Sequence, residues 1–143
     1  MEAKTKLIAY IDGSFNPQAK AYGAGILFVF STHGQRKMSF RGEDMQAVAL
    51  RNVAGEILAA KKAIEYAIEN KYKSIDIFYD YTGIEMWATN QWKAKNMYTQ
   101  EYVKFIRESE KKIDIHFHYV KGHSGNKYNE TADALAKEAV GLG

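Results

Sequence analysis

The stretch "KLIAYID", residues 6–12, is almost continuously apolar until it reaches a carboxylate. Runs of this kind are typical of a central strand that is buried on both faces of a sheet. We expect the strand to end at Asp12, because Gly13 and Ser14 follow it directly. An aspartate that opens a turn is common, but a charge at the end of a buried strand is costly. The stretch therefore predicts the central strand of a sheet, and the position of Asp12 requires a further explanation.

The rest of the chain divides into further strands and helices. The stretches "YGAGILFVFS" and "QRKMSFRGE" predict two strands joined by a turn around "THGQ", and "SIDIFYD" and "KIDIHFHYV" predict two more. The spacing of apolar residues predicts helices over about 53–70, 84–89, 99–111 and 129–140. The order β-β-β-α-β-α-α-β-α predicts an α/β fold with a five-stranded mixed sheet flanked by helices.

Length and composition set limits on the class of protein. With 143 residues, 46% of them hydrophobic, we expect a single domain over residues 1–143. The absence of cysteine excludes disulfides and thiolate metal sites and fits a reducing compartment such as the cytoplasm. We expect neither a signal peptide nor a membrane span, because the N-terminus lacks a long apolar run. The net charge of +3 leans weakly toward a polyanionic partner, and a monomer is expected at this size.

Four carboxylates occupy unusual positions in this pattern. Asp80 closes "SIDIFYD" as Asp12 closes the first strand, and parallel neighbouring strands would place both acids at one edge of the sheet. Glu56 lies early in the long helix, on or beside its core-facing stripe, and Asp133 borders the apolar stripe of the last helix. A turn or a helix N-terminus explains each acid alone. Neither explains four acids on elements that converge over one sheet.

Crowded carboxylates repel one another, and their pKa values rise unless cations neutralise them. Oxygen ligands without a cysteine or histidine cluster favour Mg²⁺ or Mn²⁺ over Zn²⁺. Two such ions about 3.5–4 Å apart clamp a phosphodiester, one activating water and the other stabilising the leaving oxygen. The pattern therefore predicts a metal site formed by Asp12, Glu56, Asp80 and Asp133.

Four stretches together resemble a known family. "YIDGSF", "NVAGEILAA", "IFYDYTGIEMW" and "VKGHSGNKYNETADALAKEA" resemble, in order, the four acidic motifs of type I ribonuclease H, the ribonuclease HI family, over residues 7–139. The resemblance implies an endoribonuclease that hydrolyses the RNA strand of RNA–DNA hybrids, leaving 5′-phosphate and 3′-hydroxyl ends. It implies catalysis by two Mg²⁺ ions, with Mn²⁺ as a substitute, held by the same four acids.

The resemblance also assigns roles to residues near the acids. His123 matches the family's mobile loop histidine, which suits proton shuttling or product release because histidine titrates near neutral pH; an ordinary exposed loop histidine is the alternative. Ser14, Asn16 and Asn52 are expected to contact the hybrid, whose 2′-hydroxyl distinguishes RNA from DNA. For the asparagines, a turn before Pro17 and a cap on the long helix are the alternatives.

The chain departs from the family's pattern at three places. Tyr81 and Thr82 stand where many members have Ser-Gln. Arg51 stands where many members have threonine, and we expect it either to bind a phosphate of the DNA strand or to be solvated. Only "NQWKAKN", residues 90–96, replaces the basic handle helix of many members. Trp92 and Lys93 are expected to meet the DNA strand, with a core position for Trp92 as the alternative. Without a separate hybrid-binding domain, we expect modest, salt-sensitive affinity.

Two other functions are alternatives to this one. Another nuclease or strand-transferase of the same superfold, such as an integrase-like protein, is disfavoured by His123 and the "NETAD" helix. A non-catalytic hybrid-binding module is disfavoured because pure binding favours fewer negative charges near phosphate. Both remain alternatives to the ribonuclease.

Overall fold

The computed structural model describes residues 5–30, 34–121 and 126–142. Its strands are β1 (Lys6–Asn16), β2 (Ala21–Val29), β3 (Gln35–Gly42), β4 (Ser74–Tyr79) and β5 (Asp114–Tyr119). Its helices are α1 (Met45–Val48), α2 (Asn52–Glu69), α3 (Gly83–Ala88), α4 (Met97–Ser109) and α5 (Lys127–Ala139). The predicted order is confirmed except for α1, whose four residues are too few to show a helical period in the sequence.

The strands form one mixed sheet in the order β3-β2-β1-β4-β5. β1 pairs antiparallel with β2, and β2 pairs antiparallel with β3. β4 pairs parallel with both β1 and β5. The predicted five-stranded mixed sheet is confirmed, with β1 at its centre. No helix among the described residues is long and apolar enough to cross a membrane.

The prediction that the first strand ends at Asp12 is wrong. β1 continues to Asn16 because its last residues pair with β2, from Asp12 opposite Gly25 to Asn16 opposite Ala21. The parallel pairing with β4, in contrast, stops at Tyr10. Asp12 therefore lies just beyond the last pair with β4, at the same edge of the sheet where β4 ends.

Helices cover both faces of the sheet and approach its backbone closely. A Cβ atom on Gly13 would lie 2.3 Å from the Glu56 nitrogen of α2, and one on Gly25 would lie 2.1 Å from the Ala132 oxygen of α5. Gly25 pairs with Asp12, the neighbour of Gly13, so the two glycines face opposite sides of the sheet. Glycine at these positions lets α2 and α5 contact the sheet backbone on opposite faces, each beside the end of β1.

The remaining helices pack beside α2. Tyr102 and Ile106 of α4 are fully buried, and the Tyr102 hydroxyl donates to the Ile84 carbonyl of α3 at 2.8 Å. The apolar residues of the central strands, such as Leu7, Ile11 and Ile77, are also fully buried. This core fixes the sheet edge at which the acids lie.

Candidate active site

Three acids meet where β4 ends and where the pairing of β1 with β4 stops. Asp12, Glu56 and Asp80 each place one carboxylate oxygen within 4.8 Å of the others. Asp12 comes from β1, Glu56 from the part of α2 that contacts Gly13, and Asp80 directly follows β4. Asp12 and Glu56 are only 7% and 1% exposed. The structure thus brings together three of the four acids that the sequence singled out.

Glu56 is held by the backbone that follows β4. Its Oε2 accepts the N–H groups of Asp80 at 3.1 Å and Tyr81 at 3.2 Å. Burial raises the pKa of Glu56 well above its usual value, and the charges of Asp80 and Asp12 raise it further. The Tyr81 N–H acts in the opposite direction by stabilising the carboxylate. Glu56 is therefore fixed in place but is costly to ionise without a cation.

Asp12 has a similarly unfavourable environment for a charge. Burial, the largest cause, and then the charge of Asp80 raise the pKa of Asp12 to about 8. The charge of Asp133 and a side-chain hydrogen bond with Asp133 raise the pKa further, while the Gly13 N–H, which donates to Oδ1 at 2.8 Å, lowers it. Asp12 thus connects the three-acid cluster to the fourth acid.

Asp133 occupies a different environment from the other acids. Its charge helps to raise the pKa of Asp12, but Asp133 does not belong to the group of acids whose oxygens lie within 4.8 Å of one another. Its Oδ2 lies 3.0 Å from the Lys137 ammonium, one turn later on α5. Lys137 was not predicted from the sequence, although an acid four residues before a lysine on a helix is a recognisable pair.

The donor atoms of this site fit a hard divalent cation. The cluster offers only carboxylate oxygens, the ligands that Mg²⁺ and Mn²⁺ prefer. The raised pKa values of Asp12 and Glu56 follow from burial and mutual repulsion, which a dication would offset. Asp12, Glu56 and Asp80 are thus suited to hold such an ion, and Asp133 lies within reach of it through Asp12.

The hybrid-contacting residues expected in β1 are largely enclosed. Ser14 is buried and pairs with Gly23 of β2. The Asn16 amide donates to the Val140 carbonyl at 2.8 Å, and its oxygen accepts the N–H groups of Gln18 at 3.0 Å and Ala19 at 3.3 Å. Both ends of the Asn16 amide are therefore engaged within the protein, in the turn expected before Pro17.

The start of α2 carries two exposed polar side chains. Asn52 is the first helical residue, so the alternative that it caps the helix is wrong. Arg51 holds the cap position without a side-chain cap bond, in a backbone conformation, φ 55° and ψ −126°, that side chains rarely adopt. Its guanidinium lies 5.0 Å from the centre of the Phe15 ring. The exposed faces of both residues remain available to a ligand.

Trp92 is packed on one side and exposed on the other. Its ring packs edge-on against Trp87 at 5.8 Å and Tyr81 at 6.3 Å, yet 41% of the residue is exposed. Residues 90–96 form no helix. A cavity of about 560 Å³ lies beside Trp92, lined by Leu50, Trp87, Gln91, Trp92, Lys93, Lys95, Asn96 and Thr99. His123 lies outside the described residues.

Comparisons with known proteins agree with this geometry. The family model of RNase H matches residues 4–141. The ribonuclease H of Ruthia magnifica is 34% identical over 150 residues, covering 94% of this chain and 95% of that protein. The ribonuclease H of Pseudoalteromonas translucida is 32% identical over 141 residues, covering 92% and 88%.

Solved structures show the same fold. RNase H1 from the halophilic archaeon Halobacterium salinarum matches with a TM-score of 0.75 at 22% identity, covering 96% of this chain and 99% of that one. LC11-RNase H1 in complex with RNA/DNA hybrid matches with a TM-score of 0.71 at 14% identity, covering 94% and 99%. The family model and the two relatives above span almost the whole length of the chain. The chain belongs to the ribonuclease H family of hydrolases.

Proposed function

We propose that this protein is an endonuclease that hydrolyses the RNA strand of RNA–DNA hybrids at Asp12, Glu56, Asp80 and Asp133, using two divalent metal ions, and leaves 5′-phosphate and 3′-hydroxyl ends. The observation that carries the proposal is the cluster of three carboxylates within 4.8 Å, in a chain of the ribonuclease H family. A protein of the same fold is in complex with RNA/DNA hybrid, which supports the substrate.

The protein's part in the reaction is to present preorganised negative charge. The metal ions, when bound, supply an activated water and offset the charge that develops on the phosphate. The N–H groups of Asp80 and Tyr81 hold Glu56, and the Gly13 N–H orients Asp12. Because these donors belong to the backbone next to paired strands, the acids need little reorganisation when substrate arrives.

The residues around the acids are proposed to select the hybrid. Asn52 and Arg51 are exposed at the start of α2, where we propose contacts with a ribose 2′-hydroxyl and with a phosphate. Trp92 and Lys93 beside the cavity are proposed to meet the DNA strand by stacking and charge. Electrostatic contacts of this kind make the predicted affinity fall with added salt.

Three further residues have narrower proposed roles. Ser14 is proposed to contact the hybrid backbone beside Asp12. The same contact by Asn16 requires its bond to the Val140 carbonyl to open. His123 is proposed to move protons or to help product leave, since its charge changes near neutral pH.

A cleavage assay tests the proposal. Purified protein is incubated with labelled RNA–DNA hybrid, double-stranded RNA, single-stranded RNA and double-stranded DNA, with Mg²⁺, with Mn²⁺ or with EDTA. We expect cleavage of only the RNA strand of the hybrid, only with metal, and fragments whose 3′-hydroxyl ends a polymerase can extend. An uncut hybrid, or equal cutting in EDTA, would contradict the proposal.

The same assay separates the two alternatives. A non-catalytic module binds the hybrid without cutting it, and an integrase-like nuclease cuts double-stranded DNA. Asp80→Asn is expected to abolish cleavage while circular dichroism and hybrid binding stay close to wild type. Full activity of this variant would remove Asp80 from the proposed site.

A further inference from the structure

The ion pair between Asp133 and Lys137 distinguishes the fourth acid from the other three. Lys137 Nζ lies 3.0 Å from Asp133 Oδ2, and the two side chains are 46% and 27% exposed. Among the described residues, it is the only ion pair made by any of the four acids. A cation supplied by the protein thus already contacts one acid of the proposed metal site.

We propose that Lys137 is a positioning residue that holds Asp133 when metal is absent and competes with a metal ion for it. The inference rests on the proposed function, because it requires a metal ion at these acids. Lys137 would then help to set the metal concentration at which the site becomes occupied.

Charge repulsion is the physical basis of the competition. An ammonium group 3.0 Å from Oδ2 donates to that oxygen and adds a positive charge where a dication would have to approach. The pair is partly exposed, and exposed pairs are weak. A divalent ion can therefore displace the ammonium group. The ion binds less tightly, however, than it would if Lys137 carried no charge.

Among the residues that the structure describes, no cationic side chain forms an ion pair with Glu56. The groups that contact its Oε2 are two neutral N–H groups, which fix the carboxylate without adding a full positive charge. Removing the charge of Lys137 should therefore change metal binding through Asp133 and leave Glu56 unaffected.

A calorimetric titration of the metal-free full chain with MgCl₂ or MnCl₂ tests the inference. We expect Lys137→Met to tighten metal binding roughly three- to tenfold, because one repelling charge is removed. Lys137→Arg keeps the charge and should stay within about twofold of wild type. The matched control is Lys62→Met, which removes a lysine of similar exposure, 41%, paired with Glu65 at 3.7 Å on α2.

A double-mutant cycle links the effect to Asp133. In an Asp133→Asn background, Lys137→Met should no longer tighten metal binding, because the lysine has lost the carboxylate through which it acts. Thermal unfolding gives a second measurement: Mg²⁺ should raise the melting temperature more in Lys137→Met than in wild type.

The outcomes separate the inference from the function beneath it. Saturable binding by wild type with no tightening in Lys137→Met overturns the inference alone. Equal tightening by Lys62→Met also overturns it, because the effect would then come from net charge. No saturable binding by wild type overturns the metal site of the proposed function and the inference with it.

Discussion

The helices α2 and α5 use the same packing arrangement to deliver two acids in different environments. Each contacts the sheet backbone where a glycine leaves room, α2 at Gly13 and α5 at Gly25. Glu56 of α2 is almost completely buried and fixed by two backbone N–H groups, whereas Asp133 of α5 is partly exposed and paired with a lysine. Under the proposed function, Glu56 would be a permanent metal ligand and Asp133 an exchangeable one.

The two helices also begin differently. α5 begins with an Asn126 cap, whose side chain accepts the N–H groups of Tyr128 and Asn129. α2 begins after Arg51, which has a positive φ and provides no side-chain cap. The strained residue of α2 lies among the side chains proposed to bind the hybrid, as strained residues often do at functional sites. Burial of its middle, rather than a cap at its start, holds α2 in place.

The largest expected effect separates Glu56 from Asp133. Glu56→Gln should lower kcat/KM for hybrid cleavage by about 10³-fold, because the buried site loses a charge that no other group replaces. Asp133→Asn should cost only about 10- to 100-fold, because its carboxylate is exchangeable. Cleavage rates at saturating Mg²⁺ give both values, and equal losses would remove the distinction between the two ligands.

The close approach of both helices predicts the next largest effect. Gly25→Ala should lower the free energy of unfolding by about 3 kcal/mol, because its Cβ would overlap the Ala132 oxygen of α5. Gly13→Ala should act similarly through α2. The control is Gly141→Ala, because a Cβ atom added there would have no neighbouring atom within 4 Å. Only the positive φ of 76° opposes this substitution, and we expect it to lower the free energy of unfolding by about 1 kcal/mol. Urea unfolding measures the free energy of unfolding of all three variants. If Gly25→Ala were as stable as wild type, the close contact between α5 and the sheet would be contradicted.

Much of this arrangement is visible in the sequence. Periodicity and apolar runs predicted the sheet and the main helices, and they singled out the acids. The parallel pairing of β1 and β4, on which the meeting of Asp12 and Asp80 depended, is present in the structure. These features depend on local patterns of burial, which a single chain displays. Asp12 and Asp80 meet because the parallel pairing of β1 and β4 stops beside both residues, and Glu56 reaches them from α2.

The errors occurred where contacts with distant parts of the chain decide the structure. The hairpin with β2 extends β1 past Asp12, against the turn signal of Gly13 and Ser14. Asn52 resembles a helix cap by type, yet the chain enters α2 one residue earlier, at Arg51. The bond from the Asn16 amide to the Val140 carbonyl could not be predicted either, because the two residues lie far apart in the sequence. Lys137 was missed although its spacing from Asp133 was visible.

The buried acids predict an unusual dependence of stability on pH in the metal-free protein. The pKa of Asp12 is raised from 3.8 to about 8, so between these values the folded state holds a proton that the unfolded state has lost. Stability is therefore highest at low pH in this window and falls as pH rises toward 8. Between pH 5 and 8 in EDTA, we expect a loss of about 3 to 4 kcal/mol.

Urea unfolding in EDTA at both pH values measures this loss. Asp12→Asn should reduce it, because the amide does not titrate, and saturating Mg²⁺ should reduce it in wild type. A gain in stability toward pH 8 would show that the acids are not destabilising when charged.

The smallest effects concern the starts of the two helices. Arg51→Gly should raise the free energy of unfolding by about 1 kcal/mol, because glycine accepts the positive φ, while weakening hybrid binding. Asn126→Ala should lower it by about 1 kcal/mol through loss of the cap. Urea unfolding and a binding titration measure both. Unchanged hybrid affinity of Arg51→Gly would remove Arg51 from the proposed interface.

The central claim is that the acids clustered beside the end of β4 hold the metal ions of a ribonuclease H. The most direct test is the anomalous diffraction of a crystal grown with Mn²⁺ at a concentration that supports hybrid cleavage. We predict a peak bounded by Asp12, Glu56 and Asp80, and a second that appears at higher Mn²⁺ as Asp133 leaves Lys137. Cleavage of the hybrid without any peak at these carboxylates would contradict the account.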